Sequence, residues 1–376
     1  MYFVSYNIKL DFKILKLGLD DSYWGLKIES LNLKDLRNMQ KLFNLAVILL
    51  PLTLVNCAGT REKFQNPFRH VISEAYWVSK PNSKDLRRKV GTEITGDVLS
   101  YLRENNLSRG KNTAVAPFEL SKKEKLIIDR AFAGLPQKLV KKVSPLIRAI
   151  YFVEGLGSSG IAEIVYDSSG NPLSSFLVFD RSVLNLNANE WCTKKERTPF
   201  LQDGTIKITC QLEKYTSSHG AFQYILLHEI GHVLQINNPQ LPFPSLHAEN
   251  AELLKDSDYF KISWQLNKKG AIVPLAPLPT QNKCKFDYYL DDPPCSAKEA
   301  ELFYGDLAQS TFATPNSVKN PVEDFADGFA NYIHTQVLKK AFIITIEYAG
   351  KKLVYKDCWN EQRCEAKKKI FEAFSR

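Results

Sequence analysis

The sequence predicts an α+β protein on three observations: a polar, helix-patterned stretch from about Arg61 to Pro145, strand-like runs beginning at Arg148, and later apolar helices that carry histidines and acids. With 376 residues, 44% hydrophobic and 24% charged, the chain is long enough to bury a core, and one large domain with a smaller appendage is expected. That composition argues against global disorder. The formal net charge is +9, but the 50 lysines and arginines are dispersed among 41 acids, so no nucleic-acid partner is expected.

Taken in order, the chain divides at 1–38, 39–56, 57–147 and 148–376. Met39-Gln-Lys-Leu-Phe-Asn-Leu-Ala-Val-Ile-Leu-Leu-Pro-Leu-Thr-Leu-Val-Asn-Cys57 reads as a secretory signal: a basic residue, an apolar run, then a cysteine. The run falls short of the roughly 20 residues a membrane-spanning helix needs, and a proline interrupts it. Leu54-Val55-Asn56-Cys57 resembles a bacterial lipobox, with Asn56 where a small residue is usual, so Cys57 is the expected lipid-attachment site. On this reading residues 1–38 are an upstream extension with no counterpart in the mature protein, and 39–56 are the signal peptide. The mature protein is exported and membrane-anchored; Ala58 after the cysteine points to the outer membrane or cell surface. The competing reading of the apolar run is a buried core helix.

Seven cysteines less Cys57 leave Cys192, Cys210, Cys284, Cys295, Cys358 and Cys364, which fall in three sequence-local pairs without C-x-x-C spacing. Disulfides between 192 and 210, 284 and 295, and 358 and 364 are expected, in an oxidising compartment. Buried free thiols are the alternative.

Residues 57–147 form a linker and helical module. Ser121 followed by Glu124 marks a capping box at one of its helices, and nothing in the module announces chemistry. From 148 the pattern turns to strands. Arg148-Ala-Ile-Tyr-Phe-Val is strand-like, and Ile161-Ala-Glu-Ile-Val-Tyr and Phe176-Leu-Val-Phe flank the turn residues Asp167-Ser-Ser-Gly-Asn-Pro, a hairpin signal. A free strand edge there is able to hold an extended peptide by main-chain hydrogen bonds.

The chemistry lies in Ser217-Ser-His-Gly-Ala-Phe-Gln-Tyr-Ile-Leu-Leu-His228-Glu229-Ile-Gly-His232-Val-Leu-Gln-Ile, a mostly apolar and therefore buried helix. Residues four apart stack on one face, so His228 and His232 can chelate one Zn2+ with Glu229 beside it as base. The bland reading, two core histidines and a stray acid, leaves three polar groups in an apolar helix without partners, which is costly. A catalytic zinc takes three protein ligands, so a third is required. Glu252, separated from His232 by nineteen intervening residues and with Asp256 four residues beyond it, is one candidate, in a polar stretch that looks solvated. Glu323 is the other and is preferred: it follows Asn320-Pro321 on an amphipathic run with Phe325, Phe329 and Ile333 at helical spacing. Asp327, one turn on, can orient a ligand histidine through its free ring nitrogen, with Asp324 the weaker neighbour. An ordinary exposed helix face is the alternative for this segment. Asn238 stands where a metzincin places its third histidine.

These motifs resemble the gluzincin peptidases, which combine H-E-x-x-H on one helix with a ligand glutamate on a later one. Asn320-Pro-Val-Glu-Asp-Phe-Ala-Asp327 looks like the N-P-x-E-D-F-A-E element of a group of bacterial zinc peptidases, and Ile262-Ser-Trp264 between the motifs fits as well. Over roughly residues 148 to 340 the resemblance implies a zincin-like domain of a small mixed sheet packed on helices. It implies His228, His232 and Glu323 as ligands and Glu229 as the base that activates water. Members of the group often carry a tyrosine shortly before the N-P element to support the transition state; this chain has Phe312-Ala313, with Tyr304, Tyr332 and His334 as possible substitutes. The function expected is a zinc-dependent endopeptidase acting on a protein or peptide substrate. The alternative is a non-catalytic, surface-anchored zinc-binding lipoprotein.

Overall fold

The computed structural model describes residues 66–80, 82–91, 93–111, 113–236, 238, 241, 254, 256–276, 278–282, 284, 286, 288–289 and 295–375. The upstream extension at 1–38, the signal peptide at 39–56, Cys57 and the alternative ligand Glu252 lie outside the described residues. Gln65–Arg376 form one compact unit. Its elements run α1 (Glu74–Trp77), α2 (Gly96–Ser108), β1 (Ala116–Pro117), α3 (Lys122–Ala133), α4 (Gln137–Val143), β2 (Ile147–Glu154), β3 (Gly160–Tyr166), β4 (Pro172–Asp180), α5 (Ala188–Arg197), β5 (Ile206–Gln211) and α6 (Gly220–Leu234). There follow α7 (Asp258–Ser263), β6 (Trp264–Leu266), β7 (Ile272–Pro274), α8 (Ala297–Gln309), α9 (Pro321–Tyr332), β8 (Ile343–Tyr348), β9 (Lys351–Lys356) and α10 (Glu365–Ser375). The fold is α+β.

The main sheet has the order β1-β2-β4-β3, with β2 and β4 parallel and the other pairs antiparallel. Its inner strands read as unbroken apolar runs because both faces are covered. Successive side chains on a strand point to opposite faces. Ile150, Phe152, Leu177 and Phe179 join a core with Phe222 and Ile225 of α6 and Phe132 of α3. Tyr151, Val153, Phe176 and Val178 join a second core with Trp77 of α1 and Val98, Tyr101 and Leu102 of α2. The polar helical stretch before residue 148 thus supplies one of the two layers that bury this sheet.

The hairpin expected around residues 167–172 joins β3 to β4. Asp167 Oδ1 accepts from the backbone N–H of Ser169 and Asn171, and Gly170 takes φ +81°. This leaves β3 at the sheet edge. A second sheet has the order β5-β8-β9, and β6 pairs with β7. Cys192–Cys210 ties α5 to β5, and Cys284–Cys295 and Cys358–Cys364 close the other two loops, with Cα separations of 5.5, 5.2 and 5.7 Å. These are the three sequence-local pairs, and they suit an oxidising compartment. Among the described residues no helix is long and apolar enough to cross a membrane.

The helix bearing the H-E-x-x-H motif, α6, is buried almost throughout and packs against α9. Gly231 makes this possible: a Cβ there would lie 2.6 Å from Ala326 Cα and 2.9 Å from its carbonyl oxygen. The start of α9 is fixed by Asn320, whose side chain accepts from the backbone N–H of Val322 and Glu323, and by Pro321 in the first turn. Beyond α9, His334 sits in a π-helical turn, fully buried, with Nε2 2.8 Å from Leu212 O and 3.1 Å from Ala341 O.

Burial pulls the His334 imidazole down to about 4, helped by Lys340 and opposed by the Leu212 carbonyl and Glu213. A folded-state value below the unfolded one means that the stabilisation is complete above pH 6.5 and is lost as pH falls towards 4. The loss is at most about 3 kcal/mol. Urea unfolding of wild type and His334→Gln at pH 7 and 4.5 should show a smaller pH-dependent loss in the variant, and equal losses would remove His334 as the cause.

Candidate metal centre

His228 and His232 occupy successive turns of α6, and Glu323 reaches them from the first turn of α9. One ligand atom from each lies within 4.8 Å of the others. The two Nε2 atoms are 3.2 Å apart, His228 Nε2 is 3.4 Å from Glu323 Oε2, and His232 Nε2 is 3.8 Å from Glu323 Oε1. Zn–N bonds of about 2.0–2.1 Å at the tetrahedral angle put two ligand nitrogens roughly 3.3–3.4 Å apart, so this donor set matches a single tetrahedral ion.

Each ligand is held by a neighbour. His228 Nδ1 is 3.0 Å from Asp327 Oδ1, and the other oxygen of Asp327 accepts from the Thr314 hydroxyl. His232 Nδ1 is 3.1 Å from Gln235 Oε1, while Gln235 Nε2 donates to Val322 O at 3.1 Å, anchoring the first motif to the start of α9. Asn316 Nδ2 donates to Glu323 Oε2 at 2.8 Å. Acceptors at both Nδ1 atoms keep the protons there and turn the Nε2 lone pairs towards the shared point. Asp327 thus lies against the ring nitrogen of His228 that faces away from the shared point. Gln235, Asn316 and Thr314 are additional; only Gln235, three residues after His232 on the same face, was within reach of spacing arguments.

Electrostatics fits the same donor set. Burial pulls the His228 ring down, but its hydrogen bonds to Asp327 and Glu323 override this and raise it to about 10. Burial, with Glu323 and other carboxylates adding to it against the opposing pull of His228, pushes Glu229 up to about 8. Glu323 is held well below the carboxylate range: burial raises it and both histidines pull it down further. Without a cation these groups balance their charges by binding protons; a dication takes the place of those protons.

Glu229 is buried at 3% exposure beside the edge strand. A Cβ on Gly160 of β3 would lie 2.9 Å from Glu229 Oε1, so glycine there lets strand and carboxylate meet. A cavity of about 710 Å³ opens over the centre, lined by Gly160–Glu163 of β3, by the three ligand residues and Glu229, and by Trp191, Lys195, Tyr288 and Tyr289.

Phe312 is buried against Trp264 and does not line this cavity. Tyr304 donates to Glu196 at 2.8 Å, Tyr332 packs on Trp359 and His334 binds Leu212 O, so none of the three considered substitutes lines it either. Asp324 points into the core, where both its oxygens lie 2.7 Å from Lys367 Nζ and one accepts from Trp264 Nε1 at 2.9 Å.

Fold and site together define an α+β protein, cross-linked by three disulfides, whose His/His/Glu group is able to hold a metal ion. No protein-family model, curated protein or solved structure matches the chain.

Two substitutions test the construction of the centre. Gly231→Ala should force α6 and α9 apart, lowering stability by about 1–3 kcal/mol and weakening metal binding, read by thermal melts and chelator competition. Asp327→Ala should weaken the binding of an added divalent ion about 10–100-fold without changing the number of ions bound. Wild-type metal affinity in Asp327→Ala would show that the His228 contact is dispensable.

Proposed function

We propose that the chain is a zinc-dependent endopeptidase of the gluzincin type with a zincin-like catalytic fold, whose ligands are His228, His232 and Glu323 and whose base is Glu229. The observation that carries this reading is the meeting of the H-E-x-x-H helix and Glu323 at the spacing of one tetrahedral ion, with a second, buried carboxylate beside them. A purely structural zinc usually has four protein ligands and no use for a base.

Zinc held there supplies Lewis acidity, polarising the scissile carbonyl and lowering the pKa of water towards about 7. Glu229 takes a proton from the attacking water as its oxygen bonds to the carbonyl carbon. It returns that proton to the amine nitrogen as the C–N bond breaks. Asp327 and Gln235 keep the histidine rings in one tautomer throughout, and Asn316 fixes the Glu323 carboxylate. The edge strand β3 borders the cavity and is suited to align an extended peptide by main-chain hydrogen bonds.

The same reading makes the mature protein an exported lipoprotein attached through Cys57 after removal of 39–56. Three disulfides support export. Attachment is tested by the mass and membrane partitioning of wild type and Cys57→Ser.

For residues 58–376, one zinc per chain and chelator-sensitive casein cleavage are expected. Glu229→Ala should keep the zinc and lose turnover, whereas Glu323→Ala should lose the zinc. Undiminished cleavage by Glu229→Ala would sink the assignment of the base, and a wild type that binds no zinc would sink the whole reading.

A further inference from the structure

With Phe312 turned into the core, the sequence-based candidates leave no hydrogen-bond donor facing the reacting carbonyl opposite the ion. The cavity itself offers one in Lys195, in the last turn of α5. Its side chain is 12% exposed, so the ammonium is largely withdrawn from bulk water, and it stands 4.5 Å from the centre of the Tyr288 ring and 5.5 Å from that of Trp191. Its nearest carboxylate, Glu196, is 3.6 Å away and already accepts from the hydroxyls of Tyr288 and Tyr304 at 2.8–3.1 Å. An ammonium carries three N–H donors. Among the described residues none of them has an acceptor at hydrogen-bond distance.

The charge is nevertheless secure. Burial pulls the Lys195 ammonium down, and the carboxylates of Asp327, Glu196 and Glu323 more than offset it, holding it above the ordinary lysine value. Of the cavity's other cationic side chains, Arg109 and Lys319 are exposed and Lys111 is bound to the Gly157 carbonyl. Lys195 is therefore the largely covered cation that lines the cavity together with the three candidate ligands and has no hydrogen-bond acceptor of its own among the described residues. A fixed donor in a partly dehydrated site is worth far more to a developing negative charge than the same donor in water.

We propose that Lys195 is a catalytic residue of this centre, donating a hydrogen bond to the carbonyl oxygen of the scissile bond as negative charge builds on it. This rests on the peptidase reading above. When the water oxygen bonds to the carbonyl carbon, the π pair moves onto the carbonyl oxygen, and the Lys195 ammonium binds that oxygen without giving up its proton. When the tetrahedral species collapses the pair returns to the carbon–oxygen bond, the C–N bond breaks, and the proton held by Glu229 goes to the amine. The rival role is a structural counter-ion for Asp327 and Glu196, which predicts lower stability but no effect confined to the transition state.

The test compares zinc-loaded wild type with Lys195→Met, which keeps length and apolar packing and removes the charge. The expected result is zinc content unchanged at one per chain, kcat on a peptide substrate lower by about 10²–10³-fold, and KM within about threefold. Methylphosphonate, a small tetrahedral oxyanion independent of peptide specificity, should bind the variant about tenfold or more weakly by calorimetry. In the wild type, the Lys195 ammonium ¹⁵N resonance, assigned by its loss in Lys195→Arg, should shift on addition of methylphosphonate; this measurement does not require Lys195→Met to fold. Wild-type kcat or methylphosphonate affinity in Lys195→Met, or no resonance shift, overturns the proposal. A wild type that cleaves no peptide defeats the peptidase reading instead, and the methylphosphonate measurements then decide alone whether Lys195 binds oxyanions here.

Discussion

The close crossing of α6 and α9 is the constraint on which the His/His/Glu group depends. Packed helix axes ordinarily stand about 8–10 Å apart, with the contact residues setting the figure. Here the contact residues are Gly231, with no side chain, and Ala326, with a methyl group, and no room remains for a Cβ at 231. His228 lies three residues before that contact on one helix, and Glu323 three residues before it on the other. One short approach therefore brings ligand atoms from two helices, 91 positions apart in the chain for His232 and Glu323, to 3.8 Å. An added ångström of separation would take these distances beyond the span of one ion. Gln235 reinforces the crossing from the next turn, bonding His232 with its oxygen and Val322 O with its amide.

The helix geometry of α9 also divides the work of its acids. Consecutive residues on an α-helix are rotated by about 100°, so Glu323 and Asp324 face different surroundings. Glu323 turns to the cavity. Asp324 turns inward to a Lys367 that is entirely buried, with Trp264 and Tyr259 completing its surroundings through hydrogen bonds at 2.9 and 3.0 Å. A buried ion pair of this kind contributes little net stability compared with apolar packing, and its value lies in specifying one arrangement. Here that arrangement joins α10, β6 and α7 to the helix that carries the third ligand.

What could be read from the sequence was mostly local. His228 and His232 are four apart on one helix, Asp327 is one turn from Glu323, Asn320-Pro321 announces the helix start, and each disulfide joins cysteines close in the chain. Features made by tertiary contact were not legible. Lys194-Lys195-Glu196-Arg197 reads as a solvated charge run, and it is the packing of α5 with α6, residues 288–289 and Tyr304 of α8 that covers Lys195 and Glu196. The polar helices before residue 148 gave no sign that they cover one face of the sheet, because their apolar residues are sparse. The parallel β2–β4 pairing, which places β3 at the edge, joins strands separated in the chain by β3. Phe312, which stands where the resembled group often has a tyrosine, packs on Trp264 away from the cavity, a placement that distance from a motif does not reveal.

The charge arrangement links these parts. Asp327, Glu229 and Glu323 bring three carboxylates close together around the histidines, while the ammonium of Lys195 acts on Asp327 and Glu323 and that of the exposed Lys319 on Glu323. Three carboxylates set so closely repel one another in a medium of low polarity more than these ammoniums offset. His228 and Glu229 both have their proton affinity raised, which restores balance when only protons are available. A dication, if held by His228, His232 and Glu323 as proposed, would restore it instead and would leave Glu229 free to ionise, the state in which a carboxylate is able to accept a proton. The excess acidity of the site thus favours a divalent ion under the proposed reading, in which Glu229, once ionised, serves as the base.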